Sequence, residues 1–205
     1  MHYMSEEKTI LEKSSKFVSQ FFEEKLPEWA VYHNLQHTIE TVNGCLEIGK
    51  GSNLTEDDLE IVCIAAWFHD IGYIFNADGH EEKSVEICEK FLKSNDYPPN
   101  KINKAINCIL ATKIINHPEN LLQFIICDSD LISLGRTDYF AMNDLLKLEI
   151  EMRSGKKISD EQWLRRSAKF LSSHNYYTEY AKLNFNLQLN ENFLTLQKQI
   201  AGVNL

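Results

Sequence analysis

His69 and Asp70 stand side by side at the end of an apolar run, Ile61 to Phe68. A helix this apolar should be buried, and buried polar groups cost free energy unless they are paired or coordinated. A divalent cation supplies one reason for the pair: neutral imidazole and carboxylate oxygen suit zinc, manganese, iron, nickel, cobalt or magnesium. The plainer reason is that the two residues cap the helix and hydrogen-bond each other, and the dipeptide alone favours it. Two other stretches change that weighting. His33 and His37 are four apart, which on a helix puts both on one face. Asp128 and Asp130 follow a second apolar run, Leu121 to Cys127. Each pair alone has an ordinary explanation, as a helix cap, a satisfied core histidine or an Asx turn. Together, the three segments each adjoin an apolar helix and so point toward the interior of one bundle, where metal sites are built from facing helices.

The elements that must position these residues read as helices throughout. Apolar residues at helical spacing predict a first helix from about Ser5 to Leu26, ended by Pro27. Ile39, Val42, Leu46 and Ile48 predict a second, stopped near Gly49 to Gly51. Thr55 is the N-cap of the third, with Glu56, Asp57 and Asp58 favouring its macrodipole. A fourth runs from about His80 to Ser94, a fifth from Pro98-Pro99 to near Asn116-His117-Pro118, and a sixth through the run that closes on Asp128. Later helices are expected from about Tyr139 to Ser154 with Gly155 as C-cap, after the Ser159/Gln162 capping box, and from near Thr178 toward Ile200. No stretch alternates like a strand between hairpin turns. The expectation is one all-α domain, a helical bundle over residues 1–205. Its motif-bearing core covers about 29–135 and its C-terminal helices about 136–201.

A length of 205 residues fits one domain, and the net charge of −9 argues against a general phosphate-backbone binder. No nucleic-acid partner is expected. A small anionic substrate stays open, because a bound cation inverts the local field. The cysteines, Cys45, Cys63, Cys88, Cys108 and Cys127, form no C-x-x-C motif and read as buried free thiols of a reducing compartment. The first residues lack a signal-peptide pattern, and no apolar run approaches bilayer-spanning length. These features lead to the expectation of a soluble cytoplasmic protein with no membrane partner. Its oligomeric state is open, a homo-oligomer included. His2 and His174 read as surface residues. Trp163, Phe170, Tyr176, Tyr177, Tyr180 and Phe185 read as packing the C-terminal helices together rather than as a base-stacking platform.

Four segments in order carry a resemblance. They are Tyr32-His33-Asn34-x-x-His37, Ala65-Ala66-x-Phe68-His69-Asp70-Ile71-Gly72-Tyr73, His80-Glu81-Glu82-x-Ser84 and Asp128-x-Asp130-Leu131. The set resembles the HD-domain superfamily of metal-dependent phosphohydrolases, most closely its small predicted phosphohydrolases, over about Trp29 to Gly135. Ala111-Thr112-Lys113 and Tyr180-Ala181-Lys182-Leu183-Asn184 add to it. The resemblance implies that His37, His69, Asp70 and Asp130 hold one or two divalent metal ions per chain. Tyr-His-Asn-x-x-His also occurs in cyclic-nucleotide phosphodiesterases, whose first histidine is a proton donor; carried over, His33 becomes the candidate general acid. Asp70 can also take part in activating water. Ser129 stands where alanine is more usual. Asp128 would lie behind the ligands and orient one of them or a water.

Three residues are candidate substrate contacts: His80 at a helix start, where an anion is favoured, Lys113 through Ala-Thr-Lys, and Arg136 through its nearness to the aspartates. The implied activity is hydrolysis of a phosphate ester of a small molecule, a nucleotide among the candidates, by a metal-activated water. Two other readings stay open. One is oxygen chemistry with two irons on the same scaffold, with His80 as an extra ligand. The other is a non-catalytic nucleotide- or metal-sensing module. No glycine-rich nucleotide fingerprint is present.

Overall fold

The computed structural model describes residues 9–113 and 116–203. These form α1 (Ile10–Lys25), α2 (Leu35–Gly51), α3 (Glu56–Phe68), α4 (His80–Ser94), α5 (Pro99–Ala111), α6 (Leu121–Asp130), α7 (Tyr139–Ser154), α8 (Asp160–Ser173) and α9 (Glu179–Val203), with 3₁₀ turns at Ile71–Ile74 and Ile132–Gly135. Among the described residues there is no strand, and the fold is the expected all-α bundle. No helix of the described residues is long and apolar enough to cross a membrane.

The bundle is built around α3. From Leu59 to Phe68 every residue but Glu60 and Trp67 is buried. A helix apolar on all sides has to be surrounded, and α1, α2, α4, α5 and α6 pack about it. Its start is fixed by Thr55, whose side chain accepts the Asp58 N–H. The C-terminal part closes over one end, with α9 against α8 and against the 3₁₀ turn at Ile132–Gly135.

Caps explain where the helices depart from expectation. Thr9 forms a capping box with Glu12, so α1 begins at Ile10; the expected start at Ser5, like His2, lies outside the described residues. Asn34 caps α2 by accepting the N–H groups of Gln36 and His37. That puts His37 in the first turn and leaves His33 outside the helix, so the two histidines do not share a helical face. α5 stops at Ala111, well before Asn116. There the Thr112 hydroxyl donates to the Ile109 carbonyl and the Asn116 amide to the Leu110 carbonyl, taking up acceptors of the last turn. α6 continues through Asp128 to Asp130.

Two glycines set the distances between motif-bearing elements. The Gly72 N–H donates to Ser84 Oγ at 2.9 Å, and a Cβ on Gly72 would lie 2.1 Å from the His80 carbonyl oxygen. The turn after Asp70 is thereby pressed onto the first turn of α4, which brings His80 to Asp70. A Cβ on Gly44 would lie 3.0 Å from Ser129 Cβ, so α2 and α6 also approach closely and carry His37 and Asp130 to one place. Gly72→Ala must therefore displace backbone. We expect it to lower unfolding free energy by roughly 1–3 kcal/mol, the usual cost of overpacking, in chemical denaturation. Gly202→Ala, in the last turn of α9 where nothing lies within 4 Å of the new Cβ, should not lower stability. Equal stability of the two variants would contradict the close approach at Gly72.

Candidate metal centre

The His69 ring is oriented by its own helix. Nδ1 lies 2.8 Å from the Ala66 carbonyl, which can only accept, so Nδ1 carries the hydrogen and Nε2 keeps its lone pair. That lone pair stands 3.0 Å from Asp70 Oδ2 and 3.3 Å from Asp130 Oδ1. His69 Nε2 and Asp70 Oδ2 are both buried, and neither has a hydrogen-bond partner among the described residues. His80 repeats the arrangement: Nδ1 bonds the Ala77 carbonyl at 2.8 Å, and Nε2 faces Asp70 Oδ1 at 3.2 Å. His37 Nε2 lies 3.1 Å from Asp130 Oδ1 and 3.3 Å from Asp70 Oδ2. For His69 and His80, an acceptor nitrogen aimed at a carboxylate oxygen at these distances is repelled unless positive charge lies between them. One donor atom from each of His37, His69, Asp70 and Asp130 fits within a span of 4.8 Å. Two imidazoles and two carboxylates suit a divalent cation.

The electrostatics give the same answer. Burial pulls the His37 imidazole down, but the hydrogen bonds and charges of Asp130 and Asp70 outweigh it and raise its pKa to about 9. His80 rises likewise to about 9, burial being overcome mainly by Asp70. His69 is raised well above the ordinary histidine value. Burial also pushes the Asp70 and Asp130 carboxyls up, yet their histidine neighbours hold both below the usual carboxylate range. Without a cation, protons on the imidazoles balance the carboxylates.

Beside this cluster stands a second one. Glu149, fully buried on α7, receives the N–H groups of Tyr32 and His33 on Oε2, both at 2.9 Å. Its Oε1 meets His33 Nδ1 at 2.5 Å and the Tyr73 hydroxyl at 2.9 Å. The His33 ring stacks on Tyr73, centroids 4.1 Å apart. Burial pushes the Glu149 carboxyl up, but His33 and the two backbone N–H groups win and keep it below its ordinary value. Sequence reasoning missed Glu149. The available signal was a carboxylate on the inward stripe of α7, in step with Tyr139, Met142 and Leu146.

Both clusters border a cavity of about 500 Å³, which His33, Asp70, His80 and Asp130 line at one end and α7 and α8 line along its length. Six expected site residues, His33, His37, His69, Asp70, His80 and Asp130, thus come together. Lys113 and Arg136 are not among the residues that line the cavity. Lys113 pairs with Glu82 on the flank of α4. Arg136 ends a 3₁₀ turn, and its carbonyl accepts from Asn192 at 2.9 Å. Arg166 and Lys169, both on α8, line the cavity instead.

Asp128 also departs from expectation. On a helix, residues two apart point about 200° apart, so Asp130 reaches the cluster while Asp128 faces α9. Its oxygens accept the Tyr177 and Thr178 N–H groups, each at 2.8 Å, and the Thr178 hydroxyl at 2.7 Å. It ties down the start of α9 rather than orienting a ligand. His174 is half-buried, not a surface residue, and burial lowers its pKa to about 4. Trp163 and Phe170 line the cavity as well as packing between helices.

Residues 34–134 match the family model described as HD domain. No curated protein and no solved structure gives a significant match to the chain.

Below about pH 9 the proton on His37 must leave before a cation takes its place. Metal affinity should therefore rise with pH toward 9, and binding near neutrality should release protons. Calorimetry in buffers of different ionisation enthalpy measures this; binding without proton release would refute the arrangement. Asp70→Ala should abolish binding of Mn²⁺ or Zn²⁺. Asp128→Asn should leave it intact while lowering unfolding free energy by about 1–3 kcal/mol, the scale of losing buried hydrogen bonds to a charged group. Metal loss in Asp128→Asn would return that residue to the site.

Proposed function

Because the chain belongs to the HD-domain superfamily, we propose that it is a metal-dependent phosphohydrolase cleaving a phosphate ester of a small molecule, a nucleotide among the candidates. The observation that carries this reading is the convergence of imidazole lone pairs and carboxylate oxygens on one point beside a cavity of small-molecule size. A divalent cation held by His37, His69, Asp70 and Asp130 would neutralise phosphoryl oxygens and acidify the attacking water.

The chain's own residues supply the proton transfers. Asp70 lines the cavity beside the cluster and is the carboxylate placed to take part in activating the attacking water. The departing ester oxygen needs a proton in return. His33 lines the same cavity, and its Nδ1 is committed to Glu149, so Nε2 is the ring nitrogen left to deliver one. Glu149 fixes the orientation of that ring. Tyr73 holds the ring from one face and the carboxylate from the side. His80 lines the cavity beside Asp70 and would meet a phosphoryl oxygen. The five cysteines, unpaired and mostly buried, support a reducing compartment such as the cytoplasm.

The short His80–Asp70 approach also favours a second reading, oxygen chemistry at two irons, since it offers one more nitrogen donor. The two are separated by assay: phosphate release with Mn²⁺ or Mg²⁺ against oxygen uptake with iron. For the hydrolase, His33→Ala should keep its metal and lose about 10²–10⁴-fold in turnover, the usual worth of general acid catalysis. Glu149→Gln should lose less and also keep the metal. Metal loss in His33→Ala would make His33 a ligand instead of the acid.

A further inference from the structure

Charge is divided along the cavity wall. Its carboxylates, Asp70, Glu81 and Asp130, all stand at the end that holds the metal centre. Beyond them the lining carries no acid. α7 contributes no charged side chain to it, and the only charged ones that α8 contributes are Arg166 and Lys169. In a chain of net charge −9, a stretch of wall with two cations and no acid runs against the overall balance. The helix does not neutralise the pair. Three and four residues from Arg166 stand Gln162, Trp163, Lys169 and Phe170, and from Lys169 stand Arg165, Arg166, Ser172 and Ser173. None is acidic, and like charges at this spacing repel. Arg165, which does not line the cavity, pairs with Glu161 at 3.0 Å, whereas Arg166 and Lys169 have no ion-pair partner among the described residues. Two further contacts shape this wall. The Arg166 guanidinium lies over the Trp163 ring, 5.5 Å from its centroid, and stacking of this kind holds it against the lining. Ser167 Oγ donates to Asn143 Oδ1 at 3.1 Å, so the Asn143 amide has its N–H groups left to offer.

We propose that Arg166 and Lys169 bind a second anionic group of the substrate, so that the ester cleaved at the metal centre is one whose leaving group itself carries negative charge. The proposal rests on the phosphohydrolase reading. The phosphoryl group is met at the metal end, and a cavity of about 500 Å³ has room for much more than that group. A neutral leaving group would leave the two cations side by side with no counter-charge. An anionic one accepts charge-assisted hydrogen bonds from the guanidinium and the ammonium, which are the strong kind. The Asn143 amide lines the same stretch and can add a neutral donor. Arg166 and Lys169 are on this account specificity-determining residues: they select among phosphate esters by the charge of the leaving group.

The test uses phosphonates, which are not hydrolysed, so that turnover is not required. The full chain loaded with Mn²⁺ is titrated by calorimetry with 3-phosphonopropionic, 6-phosphonohexanoic and 11-phosphonoundecanoic acids, each against the alkylphosphonic acid of the same length. At least one of the three should bind about tenfold tighter than its alkyl counterpart. Arg166→Gln and Lys169→Gln should each lower that preference, and the double variant should abolish it. Arg165→Gln removes the same charge outside the cavity and should keep the preference, which separates direct contact from the general field of α8. Tryptophan fluorescence shows whether loss of Arg166 disturbs Trp163, and Lys169→Gln then carries the test. No binding, no preference at any length, a preference unchanged in both variants, or one lowered equally in Arg165→Gln would overturn the proposal. Phosphate release with Mn²⁺ is measured separately, from the phosphate ester of the ω-hydroxy acid of the preferred length. No release while the preference depends on Arg166 and Lys169 would reject the hydrolase reading and keep the anion site. Release with a preference unchanged in the variants would do the reverse.

Discussion

Two carboxylates, Asp70 buried and Asp130 partly exposed, face three imidazole nitrogens at 3.0 to 3.3 Å. In a protein interior that arrangement is tolerable only with positive charge among the atoms. The backbone removes the easiest escape. Ala66 and Ala77 carbonyls take the Nδ1 hydrogens of His69 and His80, so both rings present Nε2 inward. Protons can supply the charge, as the raised histidines indicate, and a divalent cation can supply it better. The rest of the structure keeps these five side chains from relaxing apart.

That restraint comes from packing rather than from further polar bonds. α3 is surrounded by apolar neighbours, so His69 and Asp70 at its end cannot move without disturbing the core. Gly72 lets the following turn press on α4, and Gly44 lets α2 approach α6. Interiors are close-packed and deform little, and each of these contacts therefore converts to a ligand position. His33 is held differently. It sits outside α2, and its place depends on Glu149, which lies 116 residues further along the chain.

How far the sequence was legible follows from this division. Features fixed locally could be read: the all-round apolarity of α3, the caps at Thr55 and Ser159, the Gly155 stop, and the His69-Asp70 pair itself. Features fixed by direction in space could not. Apolar spacing placed the second helix after His37, whereas the Asn34 side chain starts it at Leu35 and turns His33 out of it. Asp128 and Asp130 look alike in a D-x-D motif until the helix is known to continue, and then they must point to different faces. Lys113 and Arg136 stand near motifs along the chain, which says nothing about which way their side chains leave the backbone. Glu149 left a faint trace, a charge on the inward stripe of a surface helix, and its meaning needed the partner at His33.

The two parts of the chain thereby carry different demands. The segment up to Gly135 assembles charge, and its residues are constrained by repulsion that only a cation or protons relieve. α7 and α8 add the carboxylate that orients His33 and the long apolar wall of the cavity. The two meet at α7, because one inward stripe holds Glu149 and also Met142 and Leu146. A shift of that helix would move the cavity wall and carry the Glu149 carboxylate away from His33 at the same time. The shape of the cavity and the orientation of His33 are therefore mechanically coupled, and the coupling runs through the rigid length of α7.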